Sequence, residues 1–235
     1  AILFDTFGTI VDWRSSIARE SEVIANAHGI TNFNGDEFAR AWRAGYSPGM
    51  AAITAGKRPW VSIDVIHRER LDEILPQFGL SMLNDAERDD LNRSWHRLTP
   101  WPDSVAGLQR IKSKYLISPL SNGSIVLLST MAKRAGIQWD FVFSSDIYRA
   151  YKRNPVVYQN AITLLGMAPN EIMMVAAHNA DLEAARNEGM RTGYINRPTE
   201  YGVDQTVDFG ATSDWDIIAK SVEEVADELG CPSAW

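Results

Sequence analysis

Two rhythms of apolar and polar positions divide the chain. Residues 1–5, Ala-Ile-Leu-Phe-Asp, form an unbroken apolar run closed by an acid, the pattern of a strand buried on both faces. Phe7-Gly8-Thr9 then predicts a turn. From about Asp12 to Leu98 the spacing is helical throughout. Residues 15–28 are periodic and stop at Gly29. Asp36 is placed to cap a second helix that runs through Trp42 and that Pro48-Gly49 disrupts. Ser62 caps a third, with Val65, Ile66, Ile74 and Leu75 on one face and Gly79 as its stop. Asn84, followed three residues later by Glu87, has the spacing of a capping box for a fourth.

After Pro100-Trp101-Pro102 the rhythm changes. Apolar runs at 115–120, 141–143, 172–177 and 194–195 predict strands. They alternate with helical stretches at 124–135, 155–165 and 181–188, followed by Gly136, Gly166 and Gly189, and a last helix opens at Asp214 or Asp216. Continuous apolar strands alternating with helices predict an α/β fold, a Rossmann-like, doubly wound parallel sheet covered on both faces. The all-helical stretch after the first strand is then an inserted cap. The expected division is a core of residues 1–11 and 99–235 and a cap of residues 12–98.

Composition narrows the partners. With 235 residues, 45% hydrophobic and 23% charged, the chain has the make-up of an ordinary globular protein. A net charge of -7 argues against nucleic acid or an anionic membrane as the main partner, while leaving room for a locally positive pocket. The single cysteine, Cys231, makes no intramolecular disulfide and belongs to no metal-ligand spacing. No apolar run approaches the roughly 18 to 20 residues of a membrane span. The first residues are too short and lack the basic flank of a signal peptide, so a strand entered directly and a cytoplasmic location are expected.

In open α/β sheets ligands bind beyond the carboxyl ends of the strands. The polar residues expected there are Asp5 with Thr9, then Ser121-Asn122-Gly123, then Tyr151-Lys152, then His178-Asn179-Ala180-Asp181. A nucleophile, hydroxyl and amide donors, a cation and a second acid would converge. Each has a plainer reading. An acid after a strand is commonly a helix cap, Ser-Asn-Gly an ordinary turn, Lys152 a solvated neighbour of Arg153, and Thr9 a turn residue. Their order along the chain favours a shared site.

That order, Asp-x-Phe-Gly-Thr from Asp5, Ser-Asn-Gly from Ser121, Tyr-Lys at 151–152 and His-Asn-x-Asp-Leu from His178, resembles the haloacid dehalogenase superfamily. The likeness is to the L-specific 2-haloacid dehalogenases and spans nearly the whole chain, cap included. Phosphatases of the superfamily carry a second Asp two residues after the nucleophile; this chain has Phe7, and Ala180 precedes the lone Asp181 of the fourth motif. The resemblance therefore implies a site without metal or organic cofactor, since a leaving halide needs no proton. It implies that Asp5 attacks the halogen-bearing carbon of a short 2-haloalkanoate, forming an aspartyl ester that water hydrolyses to a 2-hydroxyacid. Lys152 would keep Asp5 ionised, and Asp181 would activate or place the water. Ser121 and Thr9 would hold Asp5 or the substrate carboxylate, and Arg43 with Asn122 would cradle the halide. Tyr158 matches a position near the nucleophile, and a homodimer is compatible with the family.

Three positions depart from the pattern. His178 stands where many relatives have Asn, which opens roles in water positioning, halide contact or support of Asp181. Ala176 and Ala177 stand where many have Ser, and Arg153 stands where Pro is usual and is expected to be peripheral. Trp42, Tyr46 and Trp60 are candidates for the cap wall of the pocket, against the commoner role of cap aromatics as core; His67 is read as a surface or packing residue. The rival functions are a Mg²⁺-dependent phosphatase of the same superfamily and a non-catalytic relative that binds a small anion.

Overall fold

The computed structural model describes residues 1–232. Six strands form one parallel sheet: β1 (Ile2–Phe4), β4 (Ile117–Ser121), β5 (Phe143–Ser144), β6 (Met173–Ala176), β7 (Arg191–Ile195) and β8 (Ile217–Ala219), in the order β5-β4-β1-β6-β7-β8. The chain leaves β1 first toward β4 and β5, then returns to lay β6, β7 and β8 on the other side. The order therefore reverses around β1, and the carboxyl end of β1 lies at the topological switch point where such sheets bind ligands. Alternate residues of β1 enter different cores. Ile2 and Phe4 join one apolar cluster, Leu3 the other, as expected of a strand covered on both faces.

The helices of the core are α6 (Ser104–Lys112), α7 (Ile125–Ala135), the short α8 (Ser145–Tyr148), α9 (Pro155–Leu165), α10 (Asn179–Asn187) and α11 (Val222–Glu228). Their ends follow the sequence closely. The Ser124 side chain accepts from the Leu127 amide to start α7, and Gly136 ends it at φ 75°. Asn154 caps α9 ahead of Pro155, and Gly166 closes it in the left-handed region.

Between β1 and β4 the chain makes α1 (Trp13–Ala27), α2 (Gly35–Arg43), α3 (Tyr46–Thr54), α4 (Ile63–Ile74) and α5 (Asp85–Asn92). The capping box of α5 is present as predicted: Asn84 accepts from the Glu87 amide, and Glu87 accepts from the Asn84 amide. An antiparallel ribbon of two short strands, β2 (Val11–Asp12) and β3 (Thr99–Pro100), joins the two ends of this helical segment. The core below β1 continues into it through Trp13, Phe38, Trp42 and Trp95, so the helices share one apolar interior with one face of the sheet. No helix of the described residues is long and apolar enough to cross a membrane.

Several local expectations are corrected. Asn34, not Asp36, caps α2. Pro48 and Gly49 interrupt nothing; they lie in α3, where Pro48 falls in the first turn and its missing N–H has no intrahelical partner to lose. Gly49 is a close-approach position, because a Cβ there would lie 2.5 Å from Ile66 Cγ2 of α4. Val65 is exposed, while Ile66, Ile74 and Leu75 are buried. Neither Asp214 nor Asp216 opens a helix. Residues 217–219 are the edge strand β8, Ser221 caps α11, and Asp216 accepts from the Thr192 amide to extend the pairing with β7.

Candidate active site

The carboxyl ends of four core segments meet above β1. Parallel pairing fixes Asp5 there, because its amide continues the ladder by donating to Val175 O at 2.9 Å. The chain turns through Gly8, with φ 85°. That turn returns Thr9 to Asp5, and its hydroxyl donates to Asp5 Oδ2 at 2.8 Å while accepting from the Ala177 amide at 2.9 Å. Lys152, after α8, reaches in from the β5 side. Its Nζ lies 2.8 Å from Asp5 Oδ1 and 2.5 Å from Asp181 Oδ2. Asp181, in the first turn of α10, accepts at its other oxygen from the Tyr158 hydroxyl at 2.5 Å.

All of these groups are buried. Burial would push the Asp5 carboxyl up; the Lys152 cation and the His178 ring outweigh it and hold that carboxyl well below the ordinary aspartate range. Burial likewise opposes the charge on Lys152, but the Asp181 and Asp5 carboxylates raise its pKa. Asp5 is thus an anion and Lys152 a cation across the ordinary pH range. The Tyr158 hydroxyl, raised by burial and by Asp181, stays a neutral donor.

His178 caps α10 and is bonded at both nitrogens. Nδ1 lies 3.0 Å from Asp5 Oδ2, and Nε2 lies 3.0 Å from Glu200 Oε2. Burial opposes its protonation, yet Glu200 and Asp5 raise its pKa well above the usual histidine value. Glu200 is buried on the loop after β7 and also accepts from Trp13 Nε1 at 2.9 Å. A Cβ at position 8 would lie 2.0 Å from Glu200 Oε1, so Gly8 is needed for this side chain as well as for its own positive φ.

Asn122 serves the loop and the cavity together. Its Oδ1 accepts from the Lys152 amide at 2.8 Å, which turns its NH₂ group away from that contact, and the residue lines the cavity. Ser121 is buried beside it, where its hydroxyl accepts from the Gly123 amide at 3.2 Å; it holds the turn and does not line the cavity. From the cap side comes Arg43, at the end of α2. Its guanidinium lies 3.7 Å from the ring centroid of Tyr46, and its buried Nη1 has no hydrogen-bond partner. Burial opposes the Arg43 charge, while nearby Tyr46, Tyr201 and Glu200 raise its pKa.

Between these groups is a cavity of about 160 Å³, bounded by Asp5, Arg43, Asn122, Lys152, His178 and Asp181. A larger cleft, about 800 Å³, opens elsewhere near His96 and Lys133 and contains none of the residues just described. At about 30 Å³ per water, the smaller cavity holds roughly five, the volume of a small organic acid. The structure brings Asp5, Thr9, Lys152, Asp181, Tyr158, Asn122, Arg43 and His178 together; Ser121 supports from behind. Of the cap aromatics, Tyr46 lines the cavity. Trp42 is core, with Nε1 donating to His67 O at 2.8 Å, and Trp60 packs on Tyr151 at a centroid distance of 4.7 Å. Arg153 lines the cavity rather than lying at its periphery. The sequence reading missed Glu200, Tyr201 and Asp208. They belong to a loop with no periodicity, and no signal in the sequence marks it.

Comparison with known proteins identifies the family. A family model described as a hydrolase, haloacid dehalogenase-like hydrolase, matches residues 1–189. (S)-2-haloacid dehalogenase 4A of Burkholderia cepacia is 30% identical over 211 residues, 86% of this chain and 86% of its own length. The solved structure of the defluorinating L-2-haloacid dehalogenase Rha0230 is similar with a TM-score of 0.94 and 47% identity, covering 98% of this chain and 94% of that one. The L-2-haloacid dehalogenase PA0810 gives a TM-score of 0.94 and 41% identity over 98% of both chains.

Proposed function

The chain belongs to the haloacid dehalogenase-like hydrolases, and from that premise we propose that it hydrolyses short 2-haloalkanoic acids of L configuration to 2-hydroxyacids through an ester on Asp5. The observation that carries the reading is the buried Asp5–Lys152–Asp181 array beside a cavity of about 160 Å³. An anionic carboxylate faces a space the size of a six-atom acid, with the unpaired Nη1 of Arg43 on the cap side. Burying an anion of that size needs donors, and Arg43, Asn122 and Lys152 are those at the cavity.

In the first step a lone pair of Asp5 forms the bond to C2 of the substrate, and the halide leaves with the electrons of the carbon–halogen bond. Attack opposite the leaving group inverts C2. In the second step water adds to Cγ of Asp5, and Asp181 takes its proton, assisted by Lys152. The bond from Cγ to Oδ1, the Asp5 oxygen now carried by C2, then breaks and the 2-hydroxyacid departs, while the oxygen of the water stays on Asp5. The balance is one water consumed, one halide and one proton released.

Two observations favour chemistry without a metal. The cation between the two carboxylates is the Lys152 ammonium, within 2.8 Å of Asp5 and 2.5 Å of Asp181. Where a superfamily phosphatase has its second acid, Phe7 instead packs edge-on to Trp95 at 5.9 Å. The same proposal divides the chain into a catalytic core of residues 1–11 and 99–235 and a cap of residues 12–98, with the β2–β3 ribbon at the neck supporting that division.

The test is halide release with EDTA present from L- and D-2-chloropropionate, chloroacetate and fluoroacetate, using the wild type and Asp5→Asn. Release from the L substrate that disappears in the variant is the expected result. No release from any of the four would overturn the substrate assignment, and turnover of phosphate esters on adding Mg²⁺ would replace it with a phosphatase.

A further inference from the structure

The two oxygens of Asp5 are not equivalent. Oδ1 accepts one hydrogen bond, from Lys152 at 2.8 Å. Oδ2 accepts two, from the Thr9 hydroxyl at 2.8 Å and from His178 Nδ1 at 3.0 Å. A carboxylate oxygen has two in-plane lone pairs, so Oδ2 is saturated and Oδ1 retains one pair for attack. Once Oδ1 has been alkylated, Oδ2 is the carbonyl oxygen of the ester, still facing the same two donors.

The state of the His178 ring follows from its neighbours. Asp5 and Glu200 flank it, with Nδ1 at 3.0 Å and Nε2 at 3.0 and 3.1 Å from their oxygens. Ionised carboxylates only accept, so both ring nitrogens must carry hydrogen, which makes the ring an imidazolium. Glu200 is itself fixed. Trp13 Nε1 holds it on one side, and Gly8 leaves the space its carboxylate fills. Its loop is pinned by Arg197, which pairs with Asp103 through two contacts of 2.8 Å and donates to Thr9 O at 3.0 Å. With both nitrogens engaged, His178 has no N–H left for a halide.

We propose that His178, held as a double donor by Glu200, forms with Thr9 the oxyanion site of the ester-hydrolysis step, and that Glu200 is its positioning residue. The inference rests on the ester mechanism above. When water adds to Cγ, the carbonyl π pair moves onto Oδ2, and the new negative charge develops between the Thr9 O–H and the His178 Nδ1–H. These donors are in place before the charge appears, the condition under which such a site accelerates acyl transfer. When the tetrahedral carbon collapses, the pair returns from Oδ2, the Cγ–Oδ1 bond breaks, and the alkoxide takes the proton that Asp181 removed from water to become the 2-hydroxyacid. The halide-forming step withdraws charge from Oδ2, so the pair gives that step no assistance and promotes only the second.

The experiment separates the two steps. Wild type, His178→Ala and Glu200→Gln are mixed with L-2-chloropropionate in a rapid-quench apparatus; chloride and the intact protein mass are followed together. Gln can donate its NH₂ to Nε2, which leaves Nδ1–H on Oδ2 but removes the charge that makes it a strong donor. Both variants are expected to release a burst of about one chloride per site at the wild-type rate or faster. They then turn over more slowly, His178→Ala by about 10²-fold, the usual cost of one oxyanion donor, and Glu200→Gln by about tenfold, and both accumulate protein carrying one carboxyethyl group. If burst and steady-state rates fall together, or if neither changes, the assignment is overturned. Should His178→Ala fail to fold, Glu200→Gln decides alone, and the burst itself reports an intact site. A wild type that releases no chloride would instead sink the dehalogenase reading.

Discussion

The two walls of the cavity are built on opposite principles. On the sheet side, every oxygen of Asp5 and Asp181 has a donor, and Lys152 Nζ has two carboxylates. On the cap side, Arg43 stacks on Tyr46 with Nη1 unpaired, and behind it both ring nitrogens of His67 and the indole nitrogen of Trp95 have no hydrogen-bond partner. A satisfied network fixes geometry before the substrate arrives, which nucleophilic attack requires. A buried donor without a partner is costly, and the cost is relieved when an anion occupies the cavity. Under the proposed mechanism, the contrast puts the chemistry on the sheet side and the affinity on the cap side.

Substitutions on the two sides should therefore fail differently. The largest effect is expected on the sheet side: Asp5→Asn should lower kcat by about 10⁴-fold or more and give no covalent ester by intact mass. Lys152→Met should lower kcat by roughly 10³-fold. It also leaves the Asp5 carboxyl without the cation that holds its pKa down, so the remaining activity should need a higher pH than the wild type does; a pH–rate profile checks the direction. On the cap side, Arg43→Ala should instead raise KM about 10²-fold with a smaller change in kcat, as expected for a lost charged contact. A fall in kcat with KM unchanged would erase the division between the walls.

The smaller effects sharpen it. Tyr158→Phe removes one of the two donors to Asp181 and should cost about tenfold in kcat, with little change in KM. His67 tests the cap by stability alone. Burial lowers its pKa to about 3, so it is neutral in the folded protein where the unfolded chain protonates it. As pH falls from about 6.5 toward 3, the unfolded state gains the proton first, and stability is lost by up to about 1.4 kcal/mol per pH unit for that one group. His67→Phe should lose less stability than the wild type over that window, read from urea midpoints between pH 7 and 4, because neither ring nitrogen has a bond to forfeit.

The order of apolar runs and helix signals determined the class of the fold and most of its elements. Residues 2–4 and 173–176 are strands because unbroken apolar runs that short are stable only with both faces covered, and Gly136 and Gly166 stop helices because they adopt positive φ cheaply. The sequence also identified the groups that meet at the strand ends, because an open parallel sheet presents those positions to one cleft. The weak local signals misled. Ile217–Ala219 follows two acids that read as helix caps, and only pairing with β7 makes it a strand. Pro48 looked like a breaker until its place in the first turn of α3 was set. Tertiary structure alone decided that Glu200, 22 residues beyond His178, comes back to it, and that the two oxygens of Asp5 differ in their partners. The physical reason is that side-chain pairing across a fold depends on where loops are pinned, here by Arg197 on Asp103, and no periodicity along the chain encodes that.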